Sequence, residues 1–146
     1  EAMLAHGLPY SSHPVGCAVA LKNLDILEDG LLDHARAVTD HFQASLKALE
    51  DLPLVGEVRG LGLMACVECV ADRVSKNPLT LDLEVGKRID RHCQELGLLV
   101  RPLINMCVIS PPLTISTAQI DDMAAILRKG IELTMDDLVR EGLWRG

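Results

Sequence analysis

The sequence predicts an α/β (α+β) chain, a small and mostly antiparallel sheet packed by about four helices. Three observations carry that expectation. Val55 to Val70 is the longest run with strand character, apolar at Val55, Val58, Leu61, Leu63, Met64, Val67 and Val70 and interrupted by Gly56, Gly60 and Gly62. Elsewhere apolar residues recur three and four apart, the spacing of a helix face. The short apolar runs Leu98–Leu103 and Met106–Ile109, joined by Ile104-Asn105, read as a hairpin.

Within Val55–Val70, glycines in a strand pattern mark a bulge, a bend or a close backbone approach. A short strand Gly56–Arg59, a bend at Gly60–Gly62 and a longer strand Leu63–Val70 are expected. The near-continuous apolar run of the longer strand predicts a central strand covered on both faces.

The other elements follow in order. Gly7 and Pro9 break residues 1–12 into an irregular lead-in. Ser12 or His13 then stands ahead of Pro14, and proline suits the first turn of a helix. Cys17, Leu21, Leu24 and Leu27 form one stripe. Gly30 breaks or bends the helix. Leu31, Ala35, Val38, Phe42, Leu46 and Leu49 form a second stripe that stops before Pro53. Both helices are expected to face the core. A polar loop, Asp72–Pro78, leads to a helix from about Thr80 to Leu96, with Val85, Ile89, Cys93 and Leu96 inward and Gly97 at its end. Pro111-Pro112 closes the hairpin. Ser116 to Gln119 has the S-x-x-Q form of a capping box, opening a long helix with Ile120, Met123, Leu127, Ile131 and Leu138 inward.

Composition narrows the function. The 146 residues fit one domain with an aliphatic core, since Tyr10, Phe42 and Trp144 are the only aromatics. A net charge of −7 argues against a nucleic-acid partner and against an anionic membrane surface. No stretch has the length of a membrane span or the form of a signal peptide. The chain opens on Glu1 rather than Met, as a processed or excised piece would. The five cysteines, Cys17, Cys66, Cys69, Cys93 and Cys107, read as reduced thiols of a cytoplasmic protein. Cys66 and Cys69 have C-x-x-C spacing, but residues three apart on a strand point to opposite faces, and no second pair completes a zinc set. No metal site is expected.

The residues also contain no self-contained catalytic site. His6, His13, His34, His41 and His92 are scattered and read as solvated helix histidines. No serine or cysteine has a nucleophile-elbow context. Gly60-Leu-Gly62 leads into a strand, the wrong setting for a phosphate loop. Arg101 is out of place in the apolar run Leu98-Leu-Val-Arg-Pro-Leu103. A guanidinium stays charged, so it needs water or an acid. Two readings stand: an anion site for a carboxylate, or a sheet-edge arginine paired with Glu57, Glu68 or a helix acid.

His6-Gly-Leu-Pro-Tyr-Ser-Ser-His-Pro14, followed by Val-Gly-Cys-Ala-Val-Ala-Leu, resembles the H-G-[FL]-T-Y-S-G-H-P stretch of class III pyridoxal-phosphate aminotransferases. Val58-Arg-Gly-Leu-Gly-Leu-Met64 with Glu68 is similar to that family's V-R-G-x-G-L-M-x-x-[IV]-E. Gly97-Leu-Leu-Val-Arg101 and Ser110-Pro-Pro-Leu-Thr-Ile115 resemble its G-[IL]-x-x-R and P-P-L-x-[IV] pieces. Ile120-Asp-Asp-Met123 resembles the start of its last helix. The pieces come in the family's order over almost the whole chain, closest to the ω-amino acid or amine:pyruvate branch.

The resemblance implies the C-terminal portion of a fold-type I aminotransferase, which moves an amino group between an amino acid or amine and a keto acid. Residues 14–146 would be the small domain and 1–13 the end of the large one. Arg101 matches the arginine that holds the substrate carboxylate. Three departures stand out. The lysine that carries the cofactor belongs upstream of this sequence; Lys22, Lys47, Lys87 and Lys129 lie on helix patterns and Lys76 in a loop, and none matches it. The threonine that contacts the cofactor phosphate is Pro9, which has neither hydroxyl nor N–H; Ser11 or Ser12 is the nearest substitute. The glycine before His-Pro is Ser12. The resemblance therefore implies pyridoxal phosphate in the intact enzyme and none bound to this chain alone, no catalytic residue here, and a homo-oligomer that exposes apolar surface. The alternative is a stand-alone association or binding module from a truncated gene.

Overall fold

Phe42, Leu46 and Leu49 are almost fully buried, and they anchor the chain on one face of a sheet. The computed structural model describes residues 7, 9, 12–75, 77–78 and 84–145. Helix α1 (Pro14–Ile26) is followed by a widened turn, Leu27–Leu31, and by α2 (Leu32–Lys47), which ends in a tight turn, Ala48–Asp51. Strands β1 (Val55–Leu61) and β2 (Met64–Asp72) come next, then β3 (Asn77–Pro78), α3 (Val85–Glu95), β4 (Arg101–Leu103), β5 (Met106–Ile109) and α4 (Thr117–Arg140). The sheet is antiparallel, in the order β1-β2-β5-β4, with β3 pairing the far end of β2.

His13 starts α1: its Nδ1 accepts a hydrogen bond from the Gly16 N–H at 3.3 Å, and Pro14 occupies the first turn. Gly30 bends the path as expected, at φ 95°. The expectation that both helices face the core holds for α2 only. Val38, Phe42 and Leu46 of α2 are buried, whereas no residue of α1 is. The Cys17–Leu21–Leu24 stripe has helical spacing but meets no covering surface among the described residues.

The first hairpin matches the expected strand–bend–strand order, with the bend shortened to a two-residue turn, Gly62-Leu63, between the paired Leu61 and Met64. Gly62 takes φ 60°, and Gln43 of α2 donates to the carbonyl oxygens of Gly62 (2.7 Å) and Met64 (3.2 Å). Gly60 makes that approach possible: a Cβ there would lie 2.4 Å from the Met64 carbonyl oxygen and 2.7 Å from the Gln43 amide oxygen. β2 is central, but it is not covered on both faces. Ala65, Val67 and Cys69 are buried against the helices, while Cys66 and Glu68 are half-buried on the opposite face. The run looked continuous because Cys66 adds an apolar-class residue to the bare side.

The third helix is described from Val85; its expected beginning at Thr80 lies outside the described residues. Val85, Ile89 and Cys93 point inward, and Leu96 is exposed at the helix end. α3 lies close on α4 because Gly130 admits Cys93: a Cβ at 130 would come within 2.6 Å of its Sγ. The capping box of Ser116 and Gln119 is present, and the five apolar positions expected to point inward from α4 are buried.

His34, His41 and His92 are not simply solvated, and His6 lies outside the described residues. His34 Nε2 lies 2.9 Å from the Ile115 carbonyl oxygen and His41 Nε2 lies 2.7 Å from Asp121, so α2 holds both ends of the α4 N-terminal segment. His92 bonds the buried Asp137 at 2.8 Å across α3 and α4. That bond, helped by Arg140, keeps the Asp137 carboxyl below its ordinary range. Trp144 Nε1 donates to the Ala71 carbonyl at 2.9 Å and seals the end of β2.

The second hairpin turns at Ile104-Asn105, between the paired Leu103 and Met106, as expected. Like Gly62, Ile104 has a positive φ, 54°. A positive φ at the first central residue only is the pattern of a II′-type turn, where glycine belongs. A β-branched residue there is strained, by about 1–3 kcal/mol. Glycine loses about 0.5–1 kcal/mol in unfolded-chain entropy. Ile104 is 62% exposed and gives up little packing. Ile104→Gly is therefore expected to stabilise the chain by about 1 kcal/mol, seen as a thermal midpoint about 3 °C higher. A lowered midpoint would show that Ile104 is not strained.

Candidate functional site

β4 begins, β5 ends and β2 begins at one end of the sheet, and a groove of about 940 Å³ opens there. Its walls come from four separated stretches: Met64 at the start of β2, Gly97–Arg101, Ser110–Ile115, and the first turns of α4 with Asp122 and Met123. Leu98, Val100 and Pro111 make much of it apolar, and Arg101 is its cation. Three of the five motif pieces singled out in the sequence thus face one another, and a fourth supplies Met64.

Arg101 is exposed at the start of the edge strand β4, and it makes no ion pair among the described residues. The pairing with Glu57 or Glu68 allowed by one of the two readings does not form. Those acids are occupied by Arg59, whose Nη1 lies 2.5 Å from Glu68 and 3.3 Å from Glu57. The pairing register explains this. Arg59 faces Cys66, Cys66 faces Val108, and Val108 faces Arg101, so the four share the bare face. In the next row Glu57 stands opposite Glu68, a like-charge pair that Arg59 bridges from its own row. The Glu68 hydrogen bond raises the Arg59 pKa. Sequence reading missed Arg59. Counting outward from a turn at Gly62-Leu63 would have put Glu57 across from Glu68.

Cys66 and Cys69 point to opposite faces. Burial pushes the Cys69 thiol up to about 12 and Cys93 up to about 11, and it raises Cys107 as well. A thiol held protonated is a poor nucleophile and a poor metal ligand. Gln119, expected only as a capping residue, and Asp122, part of the Ile120–Met123 piece, also stand in the groove wall; only their place at the start of α4 could have suggested that.

The described residues do not fit a covalently attached pyridoxal phosphate. Lys22, Lys47, Lys87 and Lys129 are exposed on helices, each beside an acid three residues away (Asp25, Glu50, Glu84 and Glu132), and none lines the groove. Pro9 lies in an exposed turn. Ser12 is exposed at φ 61°, ahead of α1 and away from the groove lining. Ser11 lies outside the described residues.

Comparison with known proteins identifies the surroundings in which these pieces occur. The pattern of the family described as aminotransferase class-III matches residues 2–131. An uncharacterized aminotransferase of Sinorhizobium fredii is 40% identical over 94% of this chain and 30% of its own length. A putrescine–pyruvate aminotransferase of Pseudomonas aeruginosa is 40% identical over 88% of this chain and 28% of its own. The PMP-bound aminotransferase from Vibrio fluvialis superposes with a TM-score of 0.85 at 38% identity, over 92% of this chain and 30% of that one. An omega-aminotransferase from Paracoccus denitrificans gives 0.86 at 39% identity, over 92% and 30%. The chain spans about 30% of the length of these relatives.

Arg59 offers a direct check on the charge arrangement of the bare face. Arg59→Gln leaves Glu57 and Glu68 opposed, and an exposed pair of this kind is worth about 0.5–1 kcal/mol. Chemical denaturation is expected to show a loss of that size, mostly restored by adding Glu68→Gln. No recovery in the double variant would mean that Arg59 acts through its packing instead.

Proposed function

This chain belongs to the class-III aminotransferases, and from that premise we propose that it is the C-terminal portion of a pyridoxal-phosphate-dependent enzyme. That enzyme moves an amino group between an amino acid or amine and a keto acid such as pyruvate. One observation supports the reading most: four stretches, separated in sequence, line one groove with Arg101, which has no ion pair among the described residues. A planar guanidinium presents two parallel N–H groups to a carboxylate, and the apolar walls suit the body of the substrate. Arg101 is the substrate-binding residue, residues 14–146 are the small domain, and 1–13 are the end of the large one.

When bound, the cofactor supplies the electron sink for amino transfer. Its attachment falls to residues other than the described ones, so this chain alone contributes recognition and no catalysis. The complete protein works as a homo-oligomer in the cytoplasm, without a nucleic-acid or membrane partner. The acidic charge supports the absence of a nucleic-acid partner, and no described helix is long and apolar enough to cross a membrane. A second reading, a stand-alone association module, is favoured by the core that α2, α3, α4 and the sheet close among themselves.

Two experiments test these readings. Pyridoxal phosphate is added to the chain at neutral pH, trapped with borohydride and mapped by mass spectrometry. Scattered, substoichiometric lysine adducts are expected; one stoichiometric adduct with transamination activity would refute the inactive-alone reading. Joined to the large domain of a related aminotransferase, the chain is expected to lose about ten- to hundredfold in kcat/KM for amino and keto acids on Arg101→Ala. Arg101→Lys should recover little, and amines without a carboxylate should be little affected. An equal loss for both substrate types would leave Arg101 without its carboxylate role.

A further inference from the structure

Arg101 opens a strand that is held mainly from its other end. β4 is three residues long and pairs only with β5; its outer edge pairs with nothing among the described residues. The chain that leads into it, 96–100, is a turn followed by irregular backbone. The last fixed point before Arg101 is the end of α3, where Gly97 takes φ 93° and the Leu98 N–H donates to the Cys93 carbonyl at 2.8 Å.

The far end of β4 is gripped from two sides. The Ile104 carbonyl accepts from the Gly86 N–H of α3 at 2.9 Å. That N–H is one of the first-turn donors that a helix cannot satisfy within itself. The Asn105 side-chain amide donates to the Cys69 carbonyl of β2 at 2.6 Å, and the Asn105 carbonyl accepts from the Cys69 N–H at 2.9 Å. Asn105 is buried. Glycine is required at 86, because a Cβ there would lie 2.7 Å from the Met106 carbonyl oxygen and 3.0 Å from the Ile104 carbonyl oxygen.

α3, the return 96–100 and β4 therefore form a closed frame. The Gly86–Ile104 bond closes it, and the two bonds between Asn105 and Cys69 fix it to the central strand. Arg101 lies in that frame, about 10 Å of strand from the turn. A strand this short shifts as one piece, so a displacement at the turn reaches the guanidinium.

We propose that Gly86 and Asn105 are positioning residues for Arg101: by fixing the turn at the far end of β4 they set where the guanidinium stands in the groove. The inference rests on the amino-transfer reading of Arg101, and neither residue lines the groove. A bidentate contact needs both N–H groups aligned with the carboxylate. A misplacement of about 1 Å can cost about a hundredfold in rate. Alanine at 86 forces the Met106 carbonyl from 2.7 Å out to ordinary contact, a retreat of about 0.7 Å in a close-packed interior.

The test uses the chain joined to the large domain of a related aminotransferase. Gly86→Ala is expected to raise KM for amino and keto acids about tenfold with kcat little changed, and to leave kcat/KM for an amine without a carboxylate within about twofold. Asn105→Ala, made in the stabilised Ile104→Gly background, is expected to do the same, and it decides the matter if Gly86→Ala does not fold. Added to Arg101→Ala, neither should cause a further loss for amino and keto acids, because the contact they place is already gone. Gly56→Ala controls for stability alone: its Cβ would meet Val70 at 2.6 Å on the β1–β2 side of the sheet, and it should lower the thermal midpoint without separating the two substrate types. Arg101→Ala that fails to separate them would remove the reading on which the inference rests. If Arg101→Ala does separate them, but the other variants weaken both types alike or add fully to Arg101→Ala, the positioning is overturned and the reading of Arg101 stands.

Discussion

The sheet has one covered face, and the rest of the molecule follows from that asymmetry. Val58, Val67, Cys107, Ala65 and Ile109 share the side that α2, α3 and α4 cover, and all are buried. Strand residues alternate, so the residues between them must point the other way. Arg59, Cys66, Glu68, Val108 and Arg101 are on the bare side because Val58, Val67 and Cys107 are on the dry one. A one-residue slip in β2 would exchange its two faces, turning Ala65, Val67 and Cys69 outward and burying Glu68. Gly62 and Gln43 guard against that slip: the turn permits only one hairpin, and the glutamine grips both of its carbonyls.

Much of this was legible in the sequence, for identifiable reasons. α2, α3 and α4 bury what their periodicity says they bury, because each has a single apolar stripe and a sheet to lay it on. The Ser116–Gln119 cap and both hairpin turns are local chemistry, decided within four residues. α1 was misjudged because periodicity reports that a surface wants cover and does not say what supplies it. β2 was misjudged in one respect: cysteine counts as apolar whether it faces a core, as Cys69 does, or a half-open surface, as Cys66 does. The histidines were misjudged because their partners, Ile115, Asp121 and Asp137, are 45 to 81 residues away, beyond any local pattern.

The motif V-R-G-L-G-L-M separates into physical roles once the register is known. Val58 belongs to the core. Arg59 reconciles two opposed glutamates. Gly60 clears space for Gln43, and Gly62 supplies the left-handed turn residue. Leu63 is buried beneath the turn, and Met64 begins the groove wall. Five of the seven thus fix where Met64, and with it the groove, must lie, while Leu61 is exposed.

The same register decides which arginine is available. The sheet carries two on its bare face, at opposite ends of one cross-strand row, and only two acids in the adjoining row. Both acids stand on β1 and β2, within reach of Arg59 and on the far side of β5 from Arg101. Arg59 is therefore neutralised where it stands and contributes to the sheet. Arg101 is left without an ion pair among the described residues, at the edge of a largely apolar groove. An arginine cannot shed its charge, so its demand for an anion persists until a ligand or water meets it. That difference, set by two strands of separation, is what distinguishes two chemically identical side chains on one face of the sheet.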